Sequence, residues 1–366
     1  MIIAADLMLG ATGIVADGWV AIDGDLVTDA GVGARDDADE TVDGLLCPGF
    51  VDVHSHGGGG AGFGDGLEDA RKVLSTHLAQ GTTTMVASLV TGPMDGIEAS
   101  VRELAPLVDA GELAGIHLEG PWLAASFKGA HEPSWLRDPV LADVQRLVGA
   151  GPVRLVTIAP ELPGAMVAIE WLAAQGVVVA VGHTAADATC TRAAISAGAI
   201  GATHLFNAMP PMLHRIPGPV LPLWRTPDVW VELICDGVHV DVELVAHVVA
   251  TKSSRVVFIT DAMAAAGVGD GDYHLGGRHV EVRGGVARLA GSDTIAGSTL
   301  TLSRAVQVAV AAGTSIESAL RAATCNPADY LGLAGVGRLK AGNFADLVVL
   351  DDALRVTRVM RRGVWQ

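Results

Sequence analysis

Through the middle of the chain, short apolar runs alternate with longer segments rich in Ala, Leu and Val. The runs are Phe50–Val53, Thr83–Ala87, Gly115–Leu118, Val153–Ile158, Val177–Val181, Ala199–His204, Trp230–Cys235 and Val256–Thr260. Each ends in a polar or glycine-rich break, and the segments between have helical character, the pattern of βα units on a parallel sheet. Eight such strands favour a closed (β/α)8 TIM-like barrel, an α/β fold, over an open doubly wound sheet. The glycines Gly57 to Gly60 follow a strand but lack the spacing and the acidic partner of a dinucleotide site. That run reads more simply as a source of loop mobility.

Both ends of the chain break this pattern. Met1 to Cys47 mixes short Val/Ile/Leu runs with the turns Asp17-Gly18, Asp23-Gly24 and Asp43-Gly44, and Ala345–Leu350 and Val356–Trp365 look alike. Neither end has a core of its own, so residues 1–45 and 336–366 are expected to form one small β-sandwich domain beside a barrel of residues 46–335. The glycine-rich stretch at about 270–298 is expected to be a β-hairpin insertion after the eighth strand.

Composition narrows the partners. The 24 basic and 41 acidic residues give a net charge of −17, which disfavours nucleic acid and anionic membrane while leaving room for one local phosphate site. No apolar stretch approaches the ~20 residues of a spanning helix, and the first ten residues carry no Lys or Arg, so a soluble, cytoplasmic protein is expected. Cys47, Cys190, Cys235 and Cys325 lie far apart and read as reduced, mostly buried thiols.

In a barrel, chemistry sits at the C-terminal ends of the strands. Here those ends carry metal-ligand residues: Asp52, His54 and His56 on one face of strand one, Glu119 on strand three, His183 on strand five, His204 on strand six and Asp261 on strand eight. A single strand-end histidine is usually structural. Four histidines, Glu119 and Asp261 recurring around one ring are not, because burying them together without a cation is costly. His77, His247, His274 and His279 read as structural or surface residues, and His117, one layer below Glu119, as packed or supporting. The role of His214 stays open.

Several motifs then match a known family. Pro48 to His56, His117-Leu118-Glu119-Gly120-Pro121, Gly182-His183-Thr184, Thr203 to Met209, Asp236-Gly237-Val238-His239 and Thr260-Asp261-Ala262-Met263 occur in this order. Along its whole length the chain resembles N-acetylglucosamine-6-phosphate deacetylases of the amidohydrolase superfamily. The resemblance implies a main metal on Glu119, His183 and His204, a second position completed by His54 and His56, and Asp261 as general base and acid toward an acetamide. The cofactor implied is one or two divalent ions, zinc first, with iron or another ion as the alternative. Strand four (Arg154–Ile158) has no lysine to bridge two metals, so Glu119 would bridge.

The resemblance also implies that His131, Asn207 and Ala208 contact the substrate. It implies a homodimer in which Arg215 and His239 reach the neighbouring subunit's site to hold a sugar phosphate. Two alternatives stay open: an amidohydrolase for another amide (N-acetylgalactosamine 6-phosphate, an acylated amino acid or a cyclic amide), and a barrel kept only for binding. The filled ligand ring argues against the second.

Overall fold

The computed structural model describes all 366 residues. Eight parallel strands form the central sheet: Phe50–Ser55, Thr82–Val90, Gly115–Glu119, Val153–Ile158, Val178–Val181, Gly201–Ala202, Trp230–Ile234 and Val256–Ile259, hydrogen-bonded in sequence order. The ring closes between its ends, where Asp261 N–H donates to His54 O (2.8 Å) and His56 N–H donates to Ala262 O (2.8 Å). Strand eight thus delivers Asp261 beside the histidines of strand one. Apolar residues of the strands and of the helices around them, such as Val51, Val53, Leu104, Ile116, Leu155 and Phe258, form one continuous core. This is the expected (β/α)8 fold.

The terminal strands Ile2–Gly10, Gly13–Asp23, Leu26–Val32 and Glu40–Pro48 join Leu347–Leu350, Val356–Arg361 and Val364–Trp365 in a seven-stranded sheet. It has a separate core that includes Ile3, Val20, Leu46, Leu347 and Met360. The sheet is built from both termini, as the runs at each end require. The segment after strand eight carries three antiparallel strands, Gly271–Leu275, Arg278–Arg283 and Val286–Leu289. The third pairs through the Gly284-Gly285 turn, so the insertion is a meander and not a simple hairpin. No helix is long and apolar enough to cross a membrane.

Two other expectations change. Gly57–Gly58 and Ala61–Gly62 form a short hairpin in which a Cβ on Gly57 would meet Ala61 O at 2.4 Å and one on Gly58 would meet His77 Nε2 at 2.8 Å. Glycine serves close packing there, not mobility. The sixth strand is also shorter than its apolar run, because the backbone turns left-handed at His204 (φ 29°). All four cysteines are free, and only Cys190 is not buried.

Candidate active site

The barrel mouth departs from ordinary backbone geometry. Of the eight non-glycine residues with positive φ, five are His183, His204, Phe206, Ala208 and Asp261. Each such residue costs about 1–2 kcal/mol, and strain of this kind persists only where surrounding contacts enforce it. Those contacts are visible around His183: its carbonyl accepts Ala124 N–H at 2.8 Å, and its Nδ1 donates to Phe127 O at 2.9 Å. Gly129 lies over the ring, where a Cβ would approach Cε1 to 3.2 Å. The loop that carries His131 therefore clamps the strand-five histidine.

Two groups of donor atoms converge here, His54, His56, Glu119 and Asp261 in one and Glu119, His183 and His204 in the other. Glu119 belongs to both. Its Oε1 lies 3.2 Å from His183 Nε2 and 3.1 Å from His204 Nε2, and its Oε2 lies 3.0 Å from His56 Nε2. Asp261 Oδ1 is 3.2 Å from His56 Nε2 and 3.6 Å from His54 Nε2. Like atoms also face each other, with His183 and His204 Nε2 atoms 3.0 Å apart and those of His54 and His56 3.3 Å apart. Ligands at 2.0–2.1 Å around a tetrahedral zinc would be separated by ~3.3 Å, so these spacings suit a divalent cation.

The outer ring nitrogens sort the histidines by role. Nδ1 of His56 donates to Ser88 O (3.1 Å) and that of His183 to Phe127 O, so each presents an Nε2 lone pair to the cluster. His54 does the same through Glu232, whose Oε2 is 3.1 Å from Nδ1. His131 is the opposite case. Its Nδ1 accepts Thr91 N–H (3.3 Å), so the proton sits on Nε2, 3.5 Å from Glu119 Oε2. It is a donor facing the cavity, not a ligand. His117 spends both nitrogens on the hydroxyls of Ser88 and Thr157 (2.9 Å each) and packs edge-on against His54, a supporting place.

Charge follows this arrangement. Burial pushes the Glu119 carboxyl up, but the charge of His54 and the close imidazoles of His131, His183 and His204 outweigh it and hold the group well below the carboxylate range. Burial likewise opposes ionisation of Asp261, and hydrogen bonding to His56 with the charge of His54 brings it down to about 2. Both carboxylates are ionised at neutral pH.

A cavity of about 360 Å³ opens over the cluster, lined also by His131, Asn207, Ala208 and His239. His239 is held by Asp236, whose Oδ2 is 2.7 Å from Nδ1. It lines the cavity of its own chain, so the expectation that it reaches a neighbour's site is corrected: the turn after strand seven folds back over its own barrel mouth. Arg215 is exposed on the loop between Pro210 and Gly218 and does not line the cavity. Among the lining residues are the carboxylates of Glu119, Glu132, Asp261 and Asp293, but no lysine or arginine. Sequence reading missed the wall formed by Asp293, Thr294 and Ile295 after the insertion. It also missed Glu232, whose signal was a lone charge inside the apolar run Trp230–Cys235.

The amidohydrolase family model matches residues 45–365. The chain is 39% identical to the N-acetylgalactosamine-6-phosphate deacetylase of Escherichia coli O157:H7, over 87% of each chain. It is 38% identical to the human N-acetylglucosamine-6-phosphate deacetylase, over 88% of this chain and 84% of that one. Among solved structures it superposes on a mutant N-acetyl-D-glucosamine-6-phosphate deacetylase from Mycobacterium smegmatis, in complex with N-acetyl-D-glucosamine-6-phosphate. The TM-score is 0.97 and the identity 47%, over 100% of this chain and 98% of that one. A strained barrel mouth with two donor groups sharing one glutamate, and likeness over nearly the full length, lead to one assignment: the chain belongs to the amidohydrolase family.

Proposed function

We propose that this chain hydrolyses the acetamide of N-acetylglucosamine 6-phosphate to glucosamine 6-phosphate and acetate. The observation that carries the reading is Glu119 shared between two donor groups, with ionised Asp261 and the donor His131 on the same cavity. Glu119, His183 and His204 would hold the main cation, zinc in our reading, and His54 and His56 with Glu119 would complete a second position. When bound, a divalent cation polarises the amide carbonyl and lowers the pKa of a water toward 7. Asp261 accepts a proton from the attacking water and returns it to the departing amine. His131 Nε2–H donates to the carbonyl oxygen as negative charge develops there. Asn207, Ala208 and His239 orient the sugar, and the four carboxylates exclude free anions that lack a specific grip.

The phosphate needs a cation that one chain's cavity does not supply. We place Arg215 of a second subunit there, in a homodimer. The support is the exposed apolar surface beside it: Met212 is 45%, Leu213 51% and Ile216 64% exposed. We place the protein in the cytoplasm, where sugar phosphates are made and used. The relatives include enzymes named for both amino-sugar epimers, so N-acetylgalactosamine 6-phosphate is the second reading.

The test is acetate release from N-acetylglucosamine 6-phosphate, its galactosamine epimer and unphosphorylated N-acetylglucosamine, on protein of known metal content. A kcat/KM highest for N-acetylglucosamine 6-phosphate is expected. Equal rates with and without the phosphate would overturn the substrate assignment.

A further inference from the structure

Of the ring nitrogens that turn away from the donor cluster, one meets a charge. Nδ1 of His56 and of His183 end on backbone carbonyls, and Nδ1 of His204 has no partner. Nδ1 of His54 faces the carboxylate of Glu232 at 3.1 Å. Glu232 lies inside the seventh barrel strand with no exposure to solvent, and the proposed reaction does not use it. A carboxylate at such depth is retained only where donors satisfy it. His204 N–H donates to Oε2 at 3.4 Å and the Tyr330 hydroxyl to Oε1 at 3.3 Å. Tyr330 reaches in from the helix Cys325–Tyr330 past Gly201, where a Cβ would lie 2.0 Å from the hydroxyl. Backbone, glycine and phenol together make a built pocket for this one side chain.

We propose that Glu232, held by Tyr330, is a positioning residue that fixes His54 with its proton on Nδ1 and so sets cation occupancy at the His54, His56, Glu119 and Asp261 position. The proposal rests on the metal-dependent reading above and extends it to the number of ions. A carboxylate behind an imidazole orients the ring and strengthens it as a ligand more than a carbonyl does, and losing such a partner weakens metal binding by about 10-fold to 100-fold. On the His183 side no outer ring nitrogen meets a charge, and Glu232 touches it only through the His204 backbone N–H at 3.4 Å, so that position is expected to respond to Glu232 much less. The chain thereby encodes two unequal positions.

Zinc titrated into metal-stripped full-length protein, followed by calorimetry and elemental analysis, separates the positions. Wild type is expected to bind two ions per chain. E232Q is expected to keep one at wild-type affinity and to bind the other about 10-fold to 100-fold more weakly, with Y330F shifted in the same direction by less. Spectra of the stripped protein carrying ¹⁵N-histidine, followed as pH is raised until the His54 ring is neutral, supply a readout free of metal and activity: the neutral ring holds its proton on Nδ1 in wild type and loses that preference in E232Q. Should E232Q not fold, Y330F carries both measurements. Unchanged affinities, equal weakening at both positions, or an unaltered His54 ring would overturn the proposal. A wild type that binds a single ion would overturn it and leave the metal-dependent reading standing; a wild type that binds none would sink that reading itself.

Discussion

The two flanks of the barrel mouth hold the same side chain in opposite ways. On the strand-one flank, burial opposes charge on His56, but hydrogen bonds and charge from Asp261 and Glu119 outweigh it and hold the ring at about 9. On the strand-five flank, burial dominates and brings His183 down to about 4, despite its bond to Glu119. The difference lies in the surroundings: His56 faces two carboxylates, whereas His183 faces one and stands beside the rings of His131 and His204. A proton therefore competes with a cation at His56 across neutral pH and hardly competes at His183. In the function proposed above, the His183 flank holds the main cation and the His54 flank the second.

The strongest way to break this comparison is to remove one ligand from each side. His183→Gln is expected to lower kcat by about 10³-fold or more, since it removes several kcal/mol of transition-state charge stabilisation. His54→Gln is expected to retain one ion and to lose much less rate. Equal losses in the two variants would erase the asymmetry. Asp261→Asn should lower kcat by about 10²-fold to 10⁴-fold while the protein still binds metal, and a near-normal rate would remove Asp261 from the proton-transfer role.

A smaller effect sharpens the charge argument. Because the folded pKa of His56 lies above the ordinary 6.5, its protonation stabilises stripped protein fully below pH 6.5, and that contribution is lost as pH rises through about 9. Tm of stripped protein should fall over that window relative to zinc-loaded protein, in which the ring holds a cation in place of a proton. Parallel Tm curves for the two forms would show that His56 carries no such proton.

Much of this was legible in the sequence because it is local. Eight apolar runs gave eight strands, and two-residue alternation put His54 and His56 on one face without any tertiary information. Glu119 and Asp261 followed from their places at strand ends. What escaped reading depends on contacts across the fold. Glu232 meets His54 over a separation of 178 residues, so nothing near either residue announces the pair. The short sixth strand results from the left-handed turn at His204, a conformation enforced by neighbours and not by local preference. The course of the Asp236–His239 turn, which put His239 on its own cavity, is likewise set by where strand seven stands in the ring. The third strand of the insertion hid behind Gly284-Gly285, a turn that sequence alone does not separate from the end of a loop.

The central claim is that acetate release depends on a cation held by this ring. Protein stripped of metal, verified by elemental analysis and then titrated with zinc, should release no acetate from N-acetylglucosamine 6-phosphate until zinc is added and should regain its rate as the ions bind. An undiminished rate in the stripped protein would contradict the account.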